Sequence, residues 1–218
     1  MSLPKSILLA LPLVLAGCSL INPEQVRDPD AELAALLDHI LDNPDQSSGE
    51  RERVVALVQR QAARHPSHVP TLMAGAALAW EDGNAMRAES LVSRVLTLDT
   101  THAEARMLRS QIAIRDGNLG LATELIAEGI DYRPDEPRLH EAAAWIEYLG
   151  GNYEAAHAAL DRAERLEAPI WRVSFNRGLI EERRGNHRAA LRYYSACLDD
   201  RPGYPPAVSR RVGLEAHR

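Results

Sequence analysis

EDGNAMRAESLV, residues 81–92, decides the fold, because its pattern returns three times. It comes back as RDGNLGLATELI at 115–126, LGGNYEAAHAAL at 149–160 and RRGNHRAALRYY at 183–194. The glycines Gly83, Gly117, Gly151 and Gly185 stand 34 residues apart, and Ala88, Ala122, Ala156 and Ala190 keep the same step five places further on. The chain holds only 13 glycines in 218 residues, so four in strict register mark a repeated unit rather than chance. A period of this length means stacked copies of one supersecondary element.

Each copy divides at its Gly-Asn. The periodicity predicts a helix of about 14 residues before it and another after it, ending near Pro66, Pro134 or Pro202. Glycine takes the left-handed conformation that stops a helix. The asparagine beside it can cap the next helix by accepting a backbone N–H bond. Thr101-His102-Ala103-Glu104 reads as a capping box opening the second unit. The recurring alanine predicts two helices crossing closely, and its partners are small as well: Ala76, Ser110, Ala144 and Gly178, seven residues before each glycine. Larger apolar residues surround that crossing, Leu78, Ile112, Ile146 and Ile180 on the first helices and Val92, Ile126, Leu160 and Tyr194 on the second. A lone hairpin cannot bury both faces; stacked neighbours can.

Composition agrees. Hydrophobic residues make up 45% of the chain, with a single Phe, which suits close-packed helices better than strands. Net charge is −6, or −7 once Lys5 is removed with residues 1–17, so no basic stripe offers itself to phosphates and nucleic-acid binding is excluded as an expectation.

The N-terminus carries a separate message. Lys5 precedes the apolar run Ile7–Ala16, too short to span a bilayer and shaped like a secretory signal. The run closes on Leu15-Ala16-Gly17-Cys18, which resembles the bacterial lipobox. That resemblance implies a lipoprotein signal peptide at 1–17 and a lipidated Cys18 carrying acyl chains such as palmitate; several chains anchor stably where one does not. Ser19 in place of an aspartate implies the outer membrane, and residues 18–29, polar with two prolines, read as a tether. Cys197 is then the one thiol left and has no internal disulfide partner; it stands in register with Val95, Gly129 and Ala163 and is expected to be small and buried.

On these residues the chain resembles the tetratricopeptide repeat (TPR) family. The matching units are 69–102, 103–136, 137–170 and 171–204, with a small residue at position 8, Gly at 15, Ala at 20 and Thr100, Pro134, Ala168 or Pro202 at 32. A degenerate TPR-like hairpin is expected at 30–68, where Gly49, Val54, Val58 and Pro66 keep register but Pro44 interrupts the first helix. Residues 205–218 are expected to form a closing, capping helix. The implied fold class is all-α, an α-solenoid of helix-turn-helix hairpins. Arg106, Arg109, Ser174 and Arg177 depart from the family pattern, which shifts the expected buried row to Ala105, Leu108 and Ile112, and to Val173 and Ile180.

The resemblance also implies where function lies. First helices of TPR arrays line a groove that holds a peptide or partner helix, at positions 5, 9 and 12 of each unit. The candidate groove residues are Met73, Trp80, Met107, Ile114, Trp145, Tyr148 and Phe175, with Ala77, Gln111, Glu141, Leu179 and Glu182 at the remaining places. Aromatic and Met side chains offer much contact area at modest entropy cost. The nearby charges Glu81, Arg115, Arg138, Glu141, Glu182 and Arg183 are mixed in sign and do not form a basic clamp for a C-terminal carboxylate.

No catalytic motif is present, neither Gly-x-Ser-x-Gly, His-Glu-x-x-His nor a phosphate-cradling loop. His65-Pro66-Ser67-His68 brings two imidazoles close, but the proline breaks helical ligand spacing. No metal or cofactor is expected, and the chain is expected not to be an enzyme. The expectation is an outer-membrane lipoprotein facing the periplasm that scaffolds protein–protein interactions. It resembles TPR lipoproteins of pilus and secretin assembly, in tight-adherence (Flp) or type IV pilus systems. The alternatives are an adaptor docking cell-wall hydrolases or proteases, and, in another class, a hydrolytic enzyme. Homodimerisation through solenoid ends stays open.

Overall fold

The structure, a computed structural model, describes residues 48–216. The expected signal peptide, lipidated Cys18, tether and first helix of the degenerate hairpin lie outside the described residues, as do 217 and 218. Two compact units divide the chain, residues 1–54 and 55–218. All regular structure among the described residues is helical. Helix α1 (Ser48–Arg64) crosses the boundary between the units. It is followed by α2 (Val69–Glu81), α3 (Ala85–Leu98), α4 (Ala103–Arg115), α5 (Leu119–Tyr132), α6 (Pro137–Leu149), α7 (Tyr153–Arg165), α8 (Ile170–Arg183), α9 (His187–Asp200) and α10 (Pro205–Ala216).

In the second unit the helices pair as hairpins, α2 with α3, α4 with α5, α6 with α7 and α8 with α9, and each second helix also packs on the next first helix. This is a TPR-like α-solenoid. Its core is a string of clusters rather than one centre. Leu72, Ala76, Val92, Ala105, Leu108 and Ile112 join α2, α3 and α4. Ala113, Ala122, Ile126, Leu139 and Ile146 join α4, α5 and α6. Ala144, Ala156, Leu160, Val173 and Ile180 join α6, α7 and α8. Leu179, Ala190, Tyr194, Cys197 and Ala207 join α8, α9 and α10. The first three clusters each draw on two adjacent repeats and the fourth on the last repeat and the closing helix, so no repeat completes its core alone.

The turns show why the period is legible. Gly83, Gly117, Gly151 and Gly185 sit at φ between +73° and +79°, where an L side chain is strained. The Asn after each glycine donates its backbone N–H to the carbonyl five residues back, Ala79, Ala113, Glu147 and Glu181, at 2.8–2.9 Å. That bond closes the helix end in the Schellman manner. The asparagine side chains then diverge. Asn84 and Asn118 accept from the amides of Arg87 and Leu121 at 3.1 and 3.0 Å, as N-caps do. Asn152 and Asn186 make no such bond; their amide groups instead donate to Glu147 and Glu181, at 2.9 and 2.7 Å. The cause lies at position 11, which is alanine in the first two units and glutamate in the last two.

Two further local expectations differ from the structure. The cap of α4 is His102, whose Nδ1 accepts from the Ala105 amide at 3.3 Å, while Thr101 turns its hydroxyl to Asp99 at 2.8 Å. Asp99 offers a carboxylate two residues back, a nearer and stronger acceptor. Gly49 stands in the first turn of α1 rather than at a left-handed break. At the shifted rows, Ala105, Leu108, Ile112, Val173 and Ile180 are all buried, yet Arg106 and Ser174 are buried beside them. Arg106 achieves this by giving its guanidinium to the Thr100 carbonyl at 2.9 Å and to Glu128 at 2.5 Å.

Candidate functional site

The positions 5, 9 and 12 of successive first helices share one side of the second unit, where they line two adjoining clefts. The first, about 520 Å³, is walled by Met73, Ala77 and Trp80 of α2, Met107, Gln111 and Ile114 of α4, Glu141 and Trp145 of α6, and Arg172 and Asn176 of α8. The second, about 930 Å³, is walled by Trp145 and Tyr148 of α6, Phe175, Leu179 and Glu182 of α8, and Pro206, Ser209, Arg210, Gly213 and Leu214 of α10. All seven candidate groove residues therefore line a cleft, and Trp145 lines both. Cys18 lies outside the described residues.

Regular helix geometry brings these side chains together, because positions 5, 9 and 12 recur at steps of four and three and so share a face. Trp145 stacks on Tyr148 with ring centroids 5.1 Å apart and an interplanar angle of 25°, yet keeps 40% of its surface exposed. Phe175 leans on Tyr194 at 5.9 Å and meets Tyr204 edge-on at 5.3 Å. At the other end the Arg115 guanidinium lies 5.0 Å above the Trp80 ring.

The charges between the aromatics are committed to one another. Arg138 bonds Glu104 and, at 3.0 Å, Glu136; Arg172 bonds Glu141 at 3.0 Å. Arg138 and Arg172 are 34 residues apart, so the same repeat position reaches back to the preceding first helix twice. Glu182 accepts from the Tyr194 hydroxyl at 2.5 Å and from Arg210 at 2.8 Å. Burial pushes the Glu141 carboxyl above its ordinary value, and Arg172 offsets that only in part. Burial, and next the bond to Glu182, pushes the Tyr194 hydroxyl far up, so it stays a donor. Arg183 lines neither cleft.

The α10 residues were missed in the sequence, although a signal for them existed. Continuing the register past 204 places Ser209 and Gly213 at positions 5 and 9 of a fifth first helix. The remaining candidates resolve as ordinary structure. His68 Nδ1 lies 2.7 Å from the Thr71 hydroxyl, and no group of three or more His, Cys, Asp or Glu among the described residues is placed to hold a metal. Cys197 is buried, and burial raises its thiol above the usual range, away from the nucleophilic thiolate.

Comparisons with known proteins agree with this architecture. Tetratricopeptide repeat family models match residues 79–146 and 141–205. No curated protein matches the chain. Among solved structures, a thermophilic TPR protein of Thermus thermophilus is 16% identical, with 86% of this chain and 99% of that one covered and a TM-score of 0.75. PilF of Pseudomonas aeruginosa is 13% identical over 88% of this chain and 86% of that one, with a TM-score of 0.63. YrrB, a TPR protein with an unusual peptide-binding site, is 11% identical over 83% and 98%, with a TM-score of 0.52. At these identities the likeness is one of fold. Since the two family matches together span 79–205, more than half of the 218 residues, and the hairpins stack in the same register, the chain belongs to the tetratricopeptide repeat family, a family of protein–protein interaction modules.

Proposed function

We propose that this TPR chain is a non-enzymatic scaffold, anchored in the outer membrane by acyl chains on Cys18 and facing the periplasm, that holds an apolar segment of a partner protein in its groove. The observation that carries the reading is the row Met73, Trp80, Met107, Ile114, Trp145, Tyr148 and Phe175 on one side of the array. Large, half-buried aromatic and thioether groups in a cleft are what an apolar anchor needs for affinity. YrrB, of the same fold, carries a peptide-binding site. Service to pilus or secretin assembly is the pathway we favour, on the lipobox joined to a short TPR array; PilF shares the fold.

The test is crosslinking in the native envelope from a photoreactive residue in place of Trp145, compared with one at Thr97, which is exposed on the second helix α3. Capture of one defined partner from 145 and not from 97 is the expected result. Equal capture from both positions, or none from 145, overturns the groove. Replacing Cys18 with Ala should release the protein into the soluble periplasmic fraction.

A further inference from the structure

Resting on that reading of the groove, we infer that its occupant is an amphipathic helix whose apolar face carries two bulky anchors about eleven residues apart, one on each side of Trp145, with no charge between them. Three observations lead there. Trp145 is common to both clefts, so it stands as a ridge between two separate receptacles rather than on the floor of one trough. A single large side chain fills one receptacle and leaves the other wet.

The charges near the ridge set the chemistry of what lies over it. Glu141 is held by Arg172, Glu104 by Arg138, and Glu182 by Arg210 and the Tyr194 hydroxyl. A partner charge brought down between the anchors would be desolvated with no uncommitted opposite charge to meet it, and an unmatched charge is strongly disfavoured in such a place. The groove therefore complements a neutral face. The same commitment selects a helix over an extended strand. An extended segment must find partners for its own backbone N–H and C=O groups along its whole length, and beside apolar and charge-paired groups the walls offer only scattered neutral ones, such as Gln111 and Asn176 in the first cleft and His187 and Ser209 in the second. A helix brings those bonds with it.

Helix packing sets the spacing. The first cleft takes its largest share of lining from α4, and the second lies across α6, α8 and α10, which sets the anchors two first-helix steps apart, or about 18 Å at about 9 Å per step. Eleven residues of helix rise about 16.5 Å and turn about 1,100°, within about 20° of three full turns, so both anchors share one face. The cleft at α10 takes the bulkier anchor. The α10 side of that cleft is made partly by Ser209 and Gly213, and a Cβ placed on Gly213 would meet nothing within 4 Å.

The test uses the full-length chain and synthetic, end-blocked helical peptides of Ala and Gln carrying two Phe residues. The readout is fluorescence anisotropy. The peptide with Phe residues about eleven apart should bind at least about ten-fold tighter than single-Phe peptides or a pair spaced about nine apart, which falls on different faces. Placing Glu or Lys between the anchors should weaken it about ten-fold or more. Gly213→Leu, which fills the second cleft from a helical position, should reduce the two-Phe peptide to the single-Phe level. Binding indifferent to spacing, binding strengthened by either charge, or no binding overturns the two-anchor helix. If the peptides fail while crosslinking from position 145 still captures a partner, this inference falls and the scaffold reading stands. If that crosslinking also captures nothing, the groove itself falls.

Discussion

Gly178 lies so close to Tyr194 that a Cβ built on it would sit 2.4 Å from Cε1 of the ring. The two residues hold the repeat positions occupied elsewhere by Ala76 with Val92, Ser110 with Ile126, and Ala144 with Leu160. The bulkiest second-helix residue thus faces the least bulky first-helix residue, and the crossing accommodates the swap as a pair. Gly178→Ala should destabilise by about 1–3 kcal/mol through overpacking, despite the better helix propensity of alanine. Adding Tyr194→Leu, which restores the combination of Ala144 with Leu160, should recover most of that loss. Urea unfolding of the two single variants and the double variant closes the cycle. Strict additivity would show that the two sites do not share their space.

That pair also shows what the sequence could and could not convey. Gly83, Ala88 and Ala76 were legible because each is enforced by a local demand, a positive φ or a close crossing, repeated at a fixed step. The divergence of Asn84 from Asn152 was not. It depends on whether a glutamate stands five residues earlier, and that position is not held constant by the repeat. The burial of Arg106 was hidden because its partners are the Thr100 backbone carbonyl and Glu128, which no apolar pattern marks; His140, at the same repeat position, likewise meets the Pro134 carbonyl at 2.9 Å. The candidate groove row was readable from register, but the part supplied by α10 was obscured because Ser209 and Gly213 are small and look like surface.

Two glycines should respond to alanine with opposite signs. Gly117 stands at φ +76°, where a Cβ is strained even though the space around it is open. Gly117→Ala should cost about 1–2 kcal/mol. Gly213 has equal space but lies inside α10 without a positive φ. Gly213→Ala should stabilise by about 0.5–1 kcal/mol through helix propensity and a smaller unfolded-state entropy. Thermal unfolding followed by circular dichroism reads both; destabilisation at 213 would mean that α10 tolerates no added volume there.

The ion pair of Arg106 and Glu128 is lopsided, with the arginine side chain 8% exposed and the glutamate 60%. Arg106 also bonds the Thr100 carbonyl and lies 5.0 Å over the Tyr132 ring. Removing the exposed partner by Glu128→Gln should cost less than about 1 kcal/mol. Arg106→Ala removes packing as well and strands a carbonyl, and should cost about 2–4 kcal/mol. Similar losses from both substitutions, in chemical unfolding, would place the energy in the ion pair instead.

Glu181 and Glu141 should respond to acid in opposite directions. Burial pushes Glu181 up, but hydrogen bonds from Asn186 and His157 and the charge of Arg184 outweigh it, leaving the carboxyl below its ordinary 4.5. A depressed folded value contributes stability in full above 4.5 and loses it as pH falls through that lower value. For Glu141 burial prevails, Arg172 offsets it only partly, and the carboxyl sits above 4.5. Its ionised form opposes folding at neutral pH, and the penalty fades as pH falls from the raised value towards 4.5. Glu181→Gln should therefore flatten the acid loss of stability below about pH 4.5, whereas Glu141→Gln should remove a gain above it. Urea unfolding between about pH 3.5 and about pH 7 separates the windows. Shifts of the same sign in the same window contradict the assignment.

Binding and stability should part company at Trp145. The residue is 40% exposed and its ring stacks on Tyr148 without entering a core cluster, so the fold gains little from it. A partner that covers both clefts gains a great deal, because an aromatic ridge at the centre of an interface is the kind of residue that dominates affinity. Trp145→Ala should change unfolding free energy by less than about 1 kcal/mol while weakening partner binding by about 30-fold, the equivalent of about 2 kcal/mol. Leu160→Ala should do the reverse. Leu160 is fully buried between α6 and α8 and touches neither cleft, so its loss costs about 2–5 kcal/mol and leaves the affinity of the folded fraction unchanged. Equal loss of stability in both variants would mean that Trp145 holds the array together rather than a partner against it.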